Sequence, residues 1–425
     1  MRPPRRALAG LALVLASCRQ SSEPSPSIHA ASPGLDPSTG MAVPLHDVSS
    51  KSVPLLGPPA GPLLGADFGA QCVVERNVLR WWGVHITKQR GNPITVTLPE
   101  DVTRLGCGNA HVCVVSRGDV YCSGEGNFGQ LGIPTSTCAA RRDGCSDMPP
   151  ARVQGLPKMI DVAVAGDSTC AMSEAGEVYC WGPGAWIWMT DVDDLIDAQA
   201  PPRETPFRVP GLTDVRRIAL GNSFACALDA RGDVWCWGRN EFGELGRGMF
   251  SKRSAQPERV ASLHGVSAIT ANHEDACALA SGDVYCWGEG ALGDHVETLC
   301  KDYLKNDRSC TPIPHRMPIP TAAPLVALSS WCALDAHGAT YCWGVGRRAR
   351  PDDGHARPCP KCVAPPRKLL GIPALSQITD SGSHVCGLTA GRELVCWGDL
   401  DSLNVTPTEK PTCTDCEGPL ARIRL

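Results

Sequence analysis

The chain has 425 residues, of which 5% are aromatic and 20% charged, together with 44 glycines and 37 prolines. This mixture favours many short strands joined by tight turns over a bundle of helices. The formal net charge of −4 supplies no strong basic field for phosphates, so we expect no nucleic-acid partner. The 23 cysteines exceed ordinary usage and indicate either an oxidising compartment or several metal sites.

The first residues predict export. Arginines precede an apolar run at residues 7–16, which is too short to span a bilayer but is typical of a secretory signal. The segment Leu15–Cys18 resembles the lipobox of bacterial lipoproteins. That resemblance implies cleavage of a signal peptide at residues 1–17 and attachment of a diacylglyceryl group to the sulfur of Cys18. An ordinary signal peptide, in which the cysteine is incidental, is the alternative.

The predicted lipid sets the expected location of the protein. We expect an exported lipoprotein of the cell envelope, at the outer membrane or cell surface rather than the inner membrane, with lipid as the only anchor. Residues 18–60 are rich in Ser and Pro and lack the aliphatic periodicity of a core, which predicts a disordered tether. The folded body is then residues 61–425.

The body is built from repeats. The dipeptide Trp-Gly recurs after a cysteine-rich segment, and a proline precedes each unit at a nearly constant distance. The seven dipeptides begin at Trp82, Ser123 (a substitution in one unit), Trp181, Trp237, Trp287, Trp343 and Trp397. A fixed core with variable loops after Trp-Gly is the pattern of stacked supersecondary units.

Each unit predicts four short strands. In the fourth unit these are Phe207–Val209, Val215–Leu220, Cys226–Asp229 and Val234–Trp237, with Gly232 in the turn of the final hairpin. Seven units of four strands predict an all-β fold, a seven-bladed β-propeller of four-stranded blades.

The motifs of these units resemble the regulator of chromosome condensation repeat. The resemblance rests on segments such as CALDARGDVWCWG, on GNFGQLG at Gly126–Gly132 and on NEFGELG at Asn240–Gly246, and it covers about residues 52–425. It implies a seven-bladed propeller closed by pairing strands from the two ends of the chain. The family's recurrent histidine matches His111 and His384, for which we expect a hydrogen-bonded structural role in a turn.

Two segments are candidates for the first strand of blade one. Ser52–Leu56 has the expected offset from Cys72, and Pro419–Leu425 is a strand-like tail after the last Trp-Gly. We favour the tail because it would join the chain ends and cover a sheet edge.

Six cysteine pairs are placed symmetrically about predicted hairpin turns. Directly opposed residues of an antiparallel hairpin lie within disulfide range, which predicts a disulfide-stapled propeller. The pairs are Cys113 with Cys122, Cys170 with Cys180, Cys226 with Cys236, Cys277 with Cys286, Cys332 with Cys342, and Cys386 with Cys396. Cys72 and Cys107 remain without hairpin partners, and a bond between them would join blades one and two.

Four further pairs lie in the loops that follow Trp-Gly. They are Cys138 with Cys145, Cys300 with Cys310, Cys359 with Cys362, and Cys413 with Cys416. The last two have the C-x-x-C spacing of zinc ligands, so a zinc site is the alternative. We favour disulfides and expect no metal, because a lipoprotein faces an oxidising environment and the other two pairs lack zinc spacing.

The loop between the third and fourth units is the candidate binding site. It carries Trp186 and Trp188 but no cysteine, and loop aromatics are enriched at binding surfaces. A self-packed loop is the alternative. The aspartates that follow do not match a calcium loop.

No catalytic motif stands out in the chain. G-x-S-x-G, H-E-x-x-H and a phosphate-binding glycine loop do not occur. We therefore expect a non-enzymatic protein-binding or scaffold module at the cell envelope, without a cofactor and with an unidentified protein as partner. The alternatives are an envelope or extracellular enzyme acting on polysaccharide, which needs convergent carboxylates in the central channel, and a passive surface structural protein.

Overall fold

The computed structural model describes residues 62–67, 69–83, 93–108, 110–138, 144–182, 203–290, 299–301, 307–345, 363–398, 400 and 421–424. The predicted signal peptide at 1–17, the tether at 18–60 and the candidate strand Ser52–Leu56 lie outside the described residues. Within the described part no helix is long and apolar enough to cross a bilayer.

The described strands form seven antiparallel sheets, which are the blades of a propeller. Blade 1 consists of β1 (Leu63–Asp67), β2 (Ala70–Glu75), β3 (Val78–Trp82) and β4 (Ile94–Thr97), and blade 2 of β5 (Val102–Cys107), β6 (His111–Ser116), β7 (Asp119–Gly124) and β8 (Met148–Arg152). Blade 3 consists of β9 (Met159–Ala165), β10 (Ser168–Ser173), β11 (Val178–Gly182) and β12 (Arg203–Arg208). Blade 4 consists of β13 (Val215–Leu220), β14 (Phe224–Asp229), β15 (Val234–Arg239) and β16 (Arg253–Arg259).

The remaining three blades follow the same order. They are blade 5 with β17 (Val266–Asn272), β18 (Asp275–Ala280), β19 (Asp283–Glu289), β20 (Leu299–Lys301) and β21 (Asp307–Met317), blade 6 with β22 (Leu325–Leu328), β23 (Cys332–Asp335), β24 (Thr340–Val345) and β25 (Val363–Lys368), and blade 7 with β26 (Leu375–Asp380), β27 (His384–Thr389), β28 (Glu393–Gly398) and β29 (Ala421–Arg424). A short 3₁₀ turn spans Thr135–Cys138.

The predicted all-β, seven-bladed propeller is confirmed, with one addition. Blade 5 has a fifth strand, because β20 pairs with the long β21 at the outer edge of the sheet. The first strand of each blade packs against the first strands of its neighbours, for example β5 against β9 and β13 against β17. These inner strands surround the central channel, and successive strands lead outwards.

The sequence unit and the structural blade differ by one strand, which corrects the predicted grouping. The strand expected to begin the fourth unit is β12, and it pairs with β11 of blade 3, where Tyr179 lies opposite Arg208. After each loop, the nearest strand edge with unpaired backbone groups is the outer edge of the preceding hairpin. Each unit therefore starts as the outer strand of one blade and continues as the inner three strands of the next.

The closure predicted for the ring is also wrong. The C-terminal tail forms β29, but it pairs with β28 of the last blade rather than with the first blade. In the described residues each blade is made of consecutive strands, and blades 1 and 7 meet by packing. Their contacts include the Gly69 N–H donating to Ser381 O at 3.2 Å and Gln377 Nε2 donating to Pro62 O at 2.9 Å.

The Trp-Gly tryptophans fill the interfaces between blades. Trp181, Trp237 and Trp287 are fully buried, and each packs against the cysteine hairpin of the preceding blade. Trp343 and Trp397 do the same at the next two interfaces, and Trp82 does so between blades 7 and 1. A buried aromatic ring at each interface supplies much of the apolar area that holds neighbouring blades together.

Two departures from the repeat compensate each other between blades 1 and 2. Blade 2 has Ser123 in place of the interface tryptophan, and blade 1 has Trp81 in place of its second cysteine. The Trp81 ring fills that interface, where a Cβ on Gly124 would lie 3.1 Å from it. The substitution also leaves Cys72 available for a partner in the next blade.

The structure places the six predicted hairpin pairs at bonding distance. Their Cα–Cα distances are 4.0 to 4.2 Å, as expected for directly opposed residues. The bonds join Cys113 to Cys122, Cys170 to Cys180, Cys226 to Cys236, Cys277 to Cys286, Cys332 to Cys342, and Cys386 to Cys396. The predicted stapling of six hairpins is therefore confirmed.

Two further predicted bonds are also present. Cys72 and Cys107 have sulfurs 2.03 Å apart and join blade 1 to blade 2. Cys300 and Cys310 are bonded across the β20–β21 hairpin.

The remaining loop cysteines are only partly described. Cys145 is disulfide-bonded, and the side chain of Cys138, its predicted partner, lies outside the described residues. The other two loop pairs also lie outside them, so their bonding stays a prediction; they are Cys359 with Cys362, and Cys413 with Cys416.

Candidate functional site: the loop face of the propeller

The propeller has two faces that carry different connections between strands. The strands that carry Trp-Gly end on one face, where the inner strands also end; we call this the loop face. The tight turns of the cysteine hairpins, such as 230–233, lie on the opposite face, the hairpin face. Variable loops on a rigid scaffold are the usual location of binding residues.

An exposed apolar patch lies on the loop face between blades 4 and 5. Met249 and Phe250 are 59% and 41% exposed, and Ile313 on β21 is 52% exposed. A Cβ on Gly248 would lie 3.6 Å from Ile313 Cγ2, which places the loop of blade 4 directly beside that isoleucine. We call Met249, Phe250 and Ile313 the blade 4–5 patch.

The loop that presents this patch is held by its own hydrogen bonds. Asn240 Nδ2 donates to Met249 O at 2.9 Å and to Ser251 Oγ at 3.0 Å, and Asn240 Oδ1 accepts from the Leu245 N–H. The Gly248 N–H donates to Pro312 O at 2.7 Å, which fixes the loop to blade 5. The apolar side chains are therefore presented by an ordered backbone.

The disulfide of blade 5 packs against the same loop. Phe242 is buried against the bonded Cys300 and Cys310, so the β20–β21 hairpin covers the loop of blade 4. The Arg239 guanidinium lies 4.9 Å above the Phe242 ring, in cation–π geometry. The cysteine pair in this loop thus fixes the position of the neighbouring blade's loop as well as its own.

Arg239 is surrounded by carboxylates. Its Nη2 lies 2.5 Å from Glu241 Oε2, its Nη1 lies 3.5 Å from Glu274 Oε1 and its Nε lies 3.9 Å from Glu244 Oε1. Glu244 is fully buried, and burial raises the pKa of its carboxyl to about 7 despite this arginine. Blade 2 has Glu125 and Gln130 at the matching positions, so the basic residue and the buried acid are replaced together.

Replacing Glu244 by Gln is expected to stabilise the protein at pH 8 by about 1–3 kcal/mol. The Glu244 pKa is about 7 in the folded state against 4.5 for the ordinary group, so the folded protein holds this proton more tightly. Stability due to this group therefore falls as the pH rises from about 4.5 to 7. Glu244→Gln removes that loss, and the advantage should disappear at pH 4. Denaturant unfolding of both proteins at the two pH values measures it.

Blade 2 provides the matched control for this test. Gln130 Oε1 accepts the Phe128 N–H at 2.9 Å, as Glu244 Oε2 accepts the Phe242 N–H at 2.8 Å. Gln130→Glu should therefore create a pH-dependent loss of the same sign as the one that Glu244→Gln removes. An equal stability difference at pH 4 and pH 8 for Glu244→Gln would show that ionisation is not its cause.

The two family-type histidines are structural, as expected, but begin strands rather than occupy turns. His111 Nε2 lies 2.8 Å from Thr169 Oγ1, and His384 Nδ1 lies 2.8 Å from Ser381 Oγ. Burial lowers the pKa of His111 to about 3, which keeps its ring neutral.

The described carboxylates do not form an obvious hydrolytic pair. Glu100 and Asp101, in a hairpin-face groove of about 470 Å³, are exposed and ion-paired to Arg117. Asp67 and Asp380 do line the loop-face mouth of the central channel, but the cavity there is about 100 Å³. Sites for small-molecule ligands are typically about 300–1,000 Å³, so this mouth is too small for a sugar ring in a polysaccharide.

The residues singled out in the sequence are only partly brought into this site. Trp186 and Trp188 lie outside the described residues, and their binding role stays a prediction. Sequence reasoning missed the blade 4–5 patch, because an apolar residue in a loop carries no sign of its exposure. The signal that could have found it is the pair Met249 and Phe250 beside Gly248, in a loop too short to bury both side chains.

Comparisons with known proteins agree with this architecture. Two models of the regulator of chromosome condensation repeat match, one at residues 117–172 and 231–273 and the other at residues 215–244. The human regulator of chromosome condensation is 32% identical over 162 residues, which are 37% of this chain and 36% of that protein. The ultraviolet-B receptor of Arabidopsis thaliana is 27% identical over 317 residues, 71% of this chain and 66% of the receptor.

The similarity of fold extends over nearly the whole chain. The yeast regulator of chromosome condensation, in a crystal structure with Kap60, superposes with a TM-score of 0.64 at 19% identity, covering 94% of this chain and 91% of that one. The sequence match to the human relative spans only about a third of that protein's length. The chain therefore contains regulator of chromosome condensation repeats at the matched residues, and its seven described blades have the fold of β-propellers built from such repeats.

Proposed function

We propose that this protein is a non-enzymatic, protein-binding propeller of the cell envelope, held to a membrane by lipid on Cys18, and that its partner binds the loop face. The observation that carries the proposal is the blade 4–5 patch, three exposed apolar side chains on a backbone fixed by hydrogen bonds and a disulfide. An ordered surface loses little conformational entropy on binding, which favours affinity.

The chemistry around the patch supports a protein rather than a small molecule as partner. The apolar side chains are flanked by charged residues of the same loop and of β16, including the ion pair between Arg247 and Glu258. An apolar centre with a polar rim is the usual composition of a protein–protein interface. The patch residues do not line either of the two described cavities, which lie at the channel mouth and on the hairpin face.

A passive structural protein has no need for such a patch. Exposed apolar side chains that cluster on an ordered surface mark interaction sites, whereas scattered ones need no explanation. The exposed patch therefore favours the binding role over a passive structural role. The small channel mouth favours it over an enzyme that cuts polysaccharide in the channel.

The test is site-specific photo-crosslinking in intact cells of the native host. A photoreactive phenylalanine analogue in place of Phe250 should yield one discrete crosslinked protein. The same analogue in place of Leu370, an equally exposed apolar residue on the hairpin face, should yield none. Ile313→Asp should abolish the Phe250 crosslink without lowering the melting temperature, because Ile313 is largely solvent-exposed.

The proposal fails if Phe250 gives no crosslink above background, or if both faces give the same products. A crosslink that survives Ile313→Asp would place the contact outside the blade 4–5 patch and would remove the observation on which the proposal rests.

A further inference from the structure

The loop of blade 4, residues 240–252 between β15 and β16, covers a buried carboxyl group. Glu244 is 0% exposed, and its Oε2 accepts the Phe242 N–H at 2.8 Å. Its Oε1 has no hydrogen-bond partner among the described residues. A buried carboxylate with an unpaired oxygen is costly in its ionised form, because neither water nor a donor compensates the charge. This environment therefore favours the protonated acid.

The charged groups that face Glu244 do not compensate a further negative charge. Arg239 on β15 places its Nε 3.9 Å from Glu244 Oε1. The same guanidinium also contacts Glu241 of the loop and Glu274 of the turn between β17 and β18, so two carboxylates already balance its charge. The strands β19 and β21 contribute an indole and a proline ring, which carry no charge. Burial, opposed in part by Arg239, raises the pKa of Glu244 to about 7.

Glu244 is tied to the backbone that presents the blade 4–5 patch. Its own carbonyl accepts the Trp287 indole N–H at 2.7 Å. The next N–H along the chain, that of Leu245, donates to Asn240 Oδ1 at 3.0 Å, and Asn240 Nδ2 donates to Met249 O at 2.9 Å. Bringing the buried carboxyl into water requires this part of the loop to move, which breaks these bonds. We call the loop closed while the bonds are formed and open once they are broken.

Blade 2 shows that the fold requires no charge at this position. Gln130 occupies the matching place, and its Oε1 accepts the Phe128 N–H as Glu244 Oε2 accepts the Phe242 N–H. The carbonyl of Gln130 accepts the Trp181 indole N–H at 2.9 Å. A neutral amide thus makes the two contacts that the loop of blade 4 obtains from an ionisable group. The acid adds pH dependence to a structure that a glutamine supports.

We propose that Glu244 is a pH switch for the loop of blade 4: it is protonated while the loop is closed, it releases its proton to water when the loop opens, and rising pH therefore favours the open loop. The blade 4–5 patch is presented as described by the closed loop. The apparent affinity of a partner at the patch then scales with the closed fraction. This consequence for a partner rests on the proposed function, whereas the opening of the loop does not.

The size of the effect follows from the two states of the carboxyl group. Its pKa is about 7 in the closed loop, and the ordinary value of 4.5 applies when the loop is open. The closed form holds the proton more tightly, so closure loses free energy as the pH rises from about 4.5 to 7, and the loss levels off above pH 7. Between pH 6 and pH 8 the equilibrium constant for opening should rise about tenfold.

The test is hydrogen exchange of the oxidised full-length protein, resolved at the Gly246 amide. This N–H donates to Gly243 O at 3.0 Å inside the loop, so it exchanges when the loop opens. Each rate is divided by the rate of the same amide in Glu244→Gln at the same pH, which cancels the chemical pH dependence of exchange. The ratio should rise about tenfold from pH 6 to pH 8, in step with the equilibrium constant for opening.

Blade 2 supplies a matched reporter and a matched variant. The Gly132 N–H donates to Gly129 O at 3.0 Å, as the Gly246 N–H does to its own loop. The ratio of wild type to Glu244→Gln should stay constant with pH at Gly132. Gln130→Glu should make exchange at Gly132 pH-dependent relative to wild type, with exchange at Gly246 unchanged.

The inference is wrong if the ratio at Gly246 is the same at pH 6 and pH 8. It is also wrong if the ratio at Gly132 rises equally, because exchange would then report global unfolding rather than opening of one loop. Failure of the proposed function is a separate result. Crosslinking at Phe250 that detects no partner, with the expected rise at Gly246, rejects the protein-binding role and leaves the pH switch supported. The reverse combination rejects the pH switch alone.

Discussion

Protein produced where disulfides cannot form is expected to lack the native propeller. Each hairpin disulfide closes a loop of 9 or 10 residues, which in the chain-entropy account contributes about 3 kcal/mol. Six such bonds together exceed the roughly 5–15 kcal/mol by which domains are typically stable. The aromatic fraction of 5% supplies fewer large side chains than usual, so the cysteine pairs replace part of the ordinary core.

The measurement compares oxidised and reduced, alkylated protein by near-ultraviolet circular dichroism and denaturant unfolding. The oxidised protein should unfold cooperatively, and the reduced protein should lack tertiary signal in buffer. A graded control replaces one bond only, since Cys226→Ala with Cys236→Ala should lower the free energy of unfolding by about 3 kcal/mol. Reduced protein that keeps its tertiary signal and a similar midpoint would show that buried thiols pack as well as the disulfides.

The hairpin bonds could be predicted because their geometry is local. Two cysteines placed symmetrically about one turn, such as Cys226 and Cys236, must face each other once the hairpin forms. The bond between Cys72 and Cys107 was predicted by elimination, and the structure supplies its reason. Trp81 occupies the position of the missing cysteine and fills the interface that Ser123 leaves open.

The ring closure could not be predicted, because it depends on competition between distant edges. The backbone of the tail at Ala421–Arg424 could form its hydrogen bonds with any free strand edge, and in the structure it forms them with β28. The nearer edge gains pairing at a lower loop-closure cost. The offset between sequence unit and blade follows from the same preference for the nearest free edge.

The sequence predicts which face of the propeller carries the candidate site, but it does not predict which residues form the site. The variable length after Trp-Gly indicates where loops emerge, and the β20–β21 hairpin with Cys300 and Cys310 lies there. The channel mouth is assembled from Asp67, Ser330 and Asp380, which are separated by whole blades in the sequence. Such long-range polar groups have no local pattern, so only the folded ring brings them together.

The glycine of Trp-Gly gives the second large expected effect. Gly288→Ala should lower the free energy of unfolding by about 4 kcal/mol or more, at the upper end of single substitutions. Gly288 has a φ of +99°, and a Cβ there would lie 2.2 Å from Glu274 O and 2.8 Å from Asp275 Cα. Both are backbone atoms at the start of β18, the strand that pairs with β19, so the clash can be relieved only by separating the two strands of the hairpin at this point.

Gly282 in the same blade separates the clash from the backbone strain. Its φ is +89°, but no atom lies within 4 Å of its Cβ position. Gly282→Ala should therefore cost only the strain of a left-handed alanine, about 1–2 kcal/mol. Denaturant unfolding of the oxidised protein and both variants measures the two effects together. If both variants lose the same free energy of unfolding, the close contact with Glu274 does not explain why the repeat has glycine after tryptophan. The positive φ of that glycine is then the whole explanation.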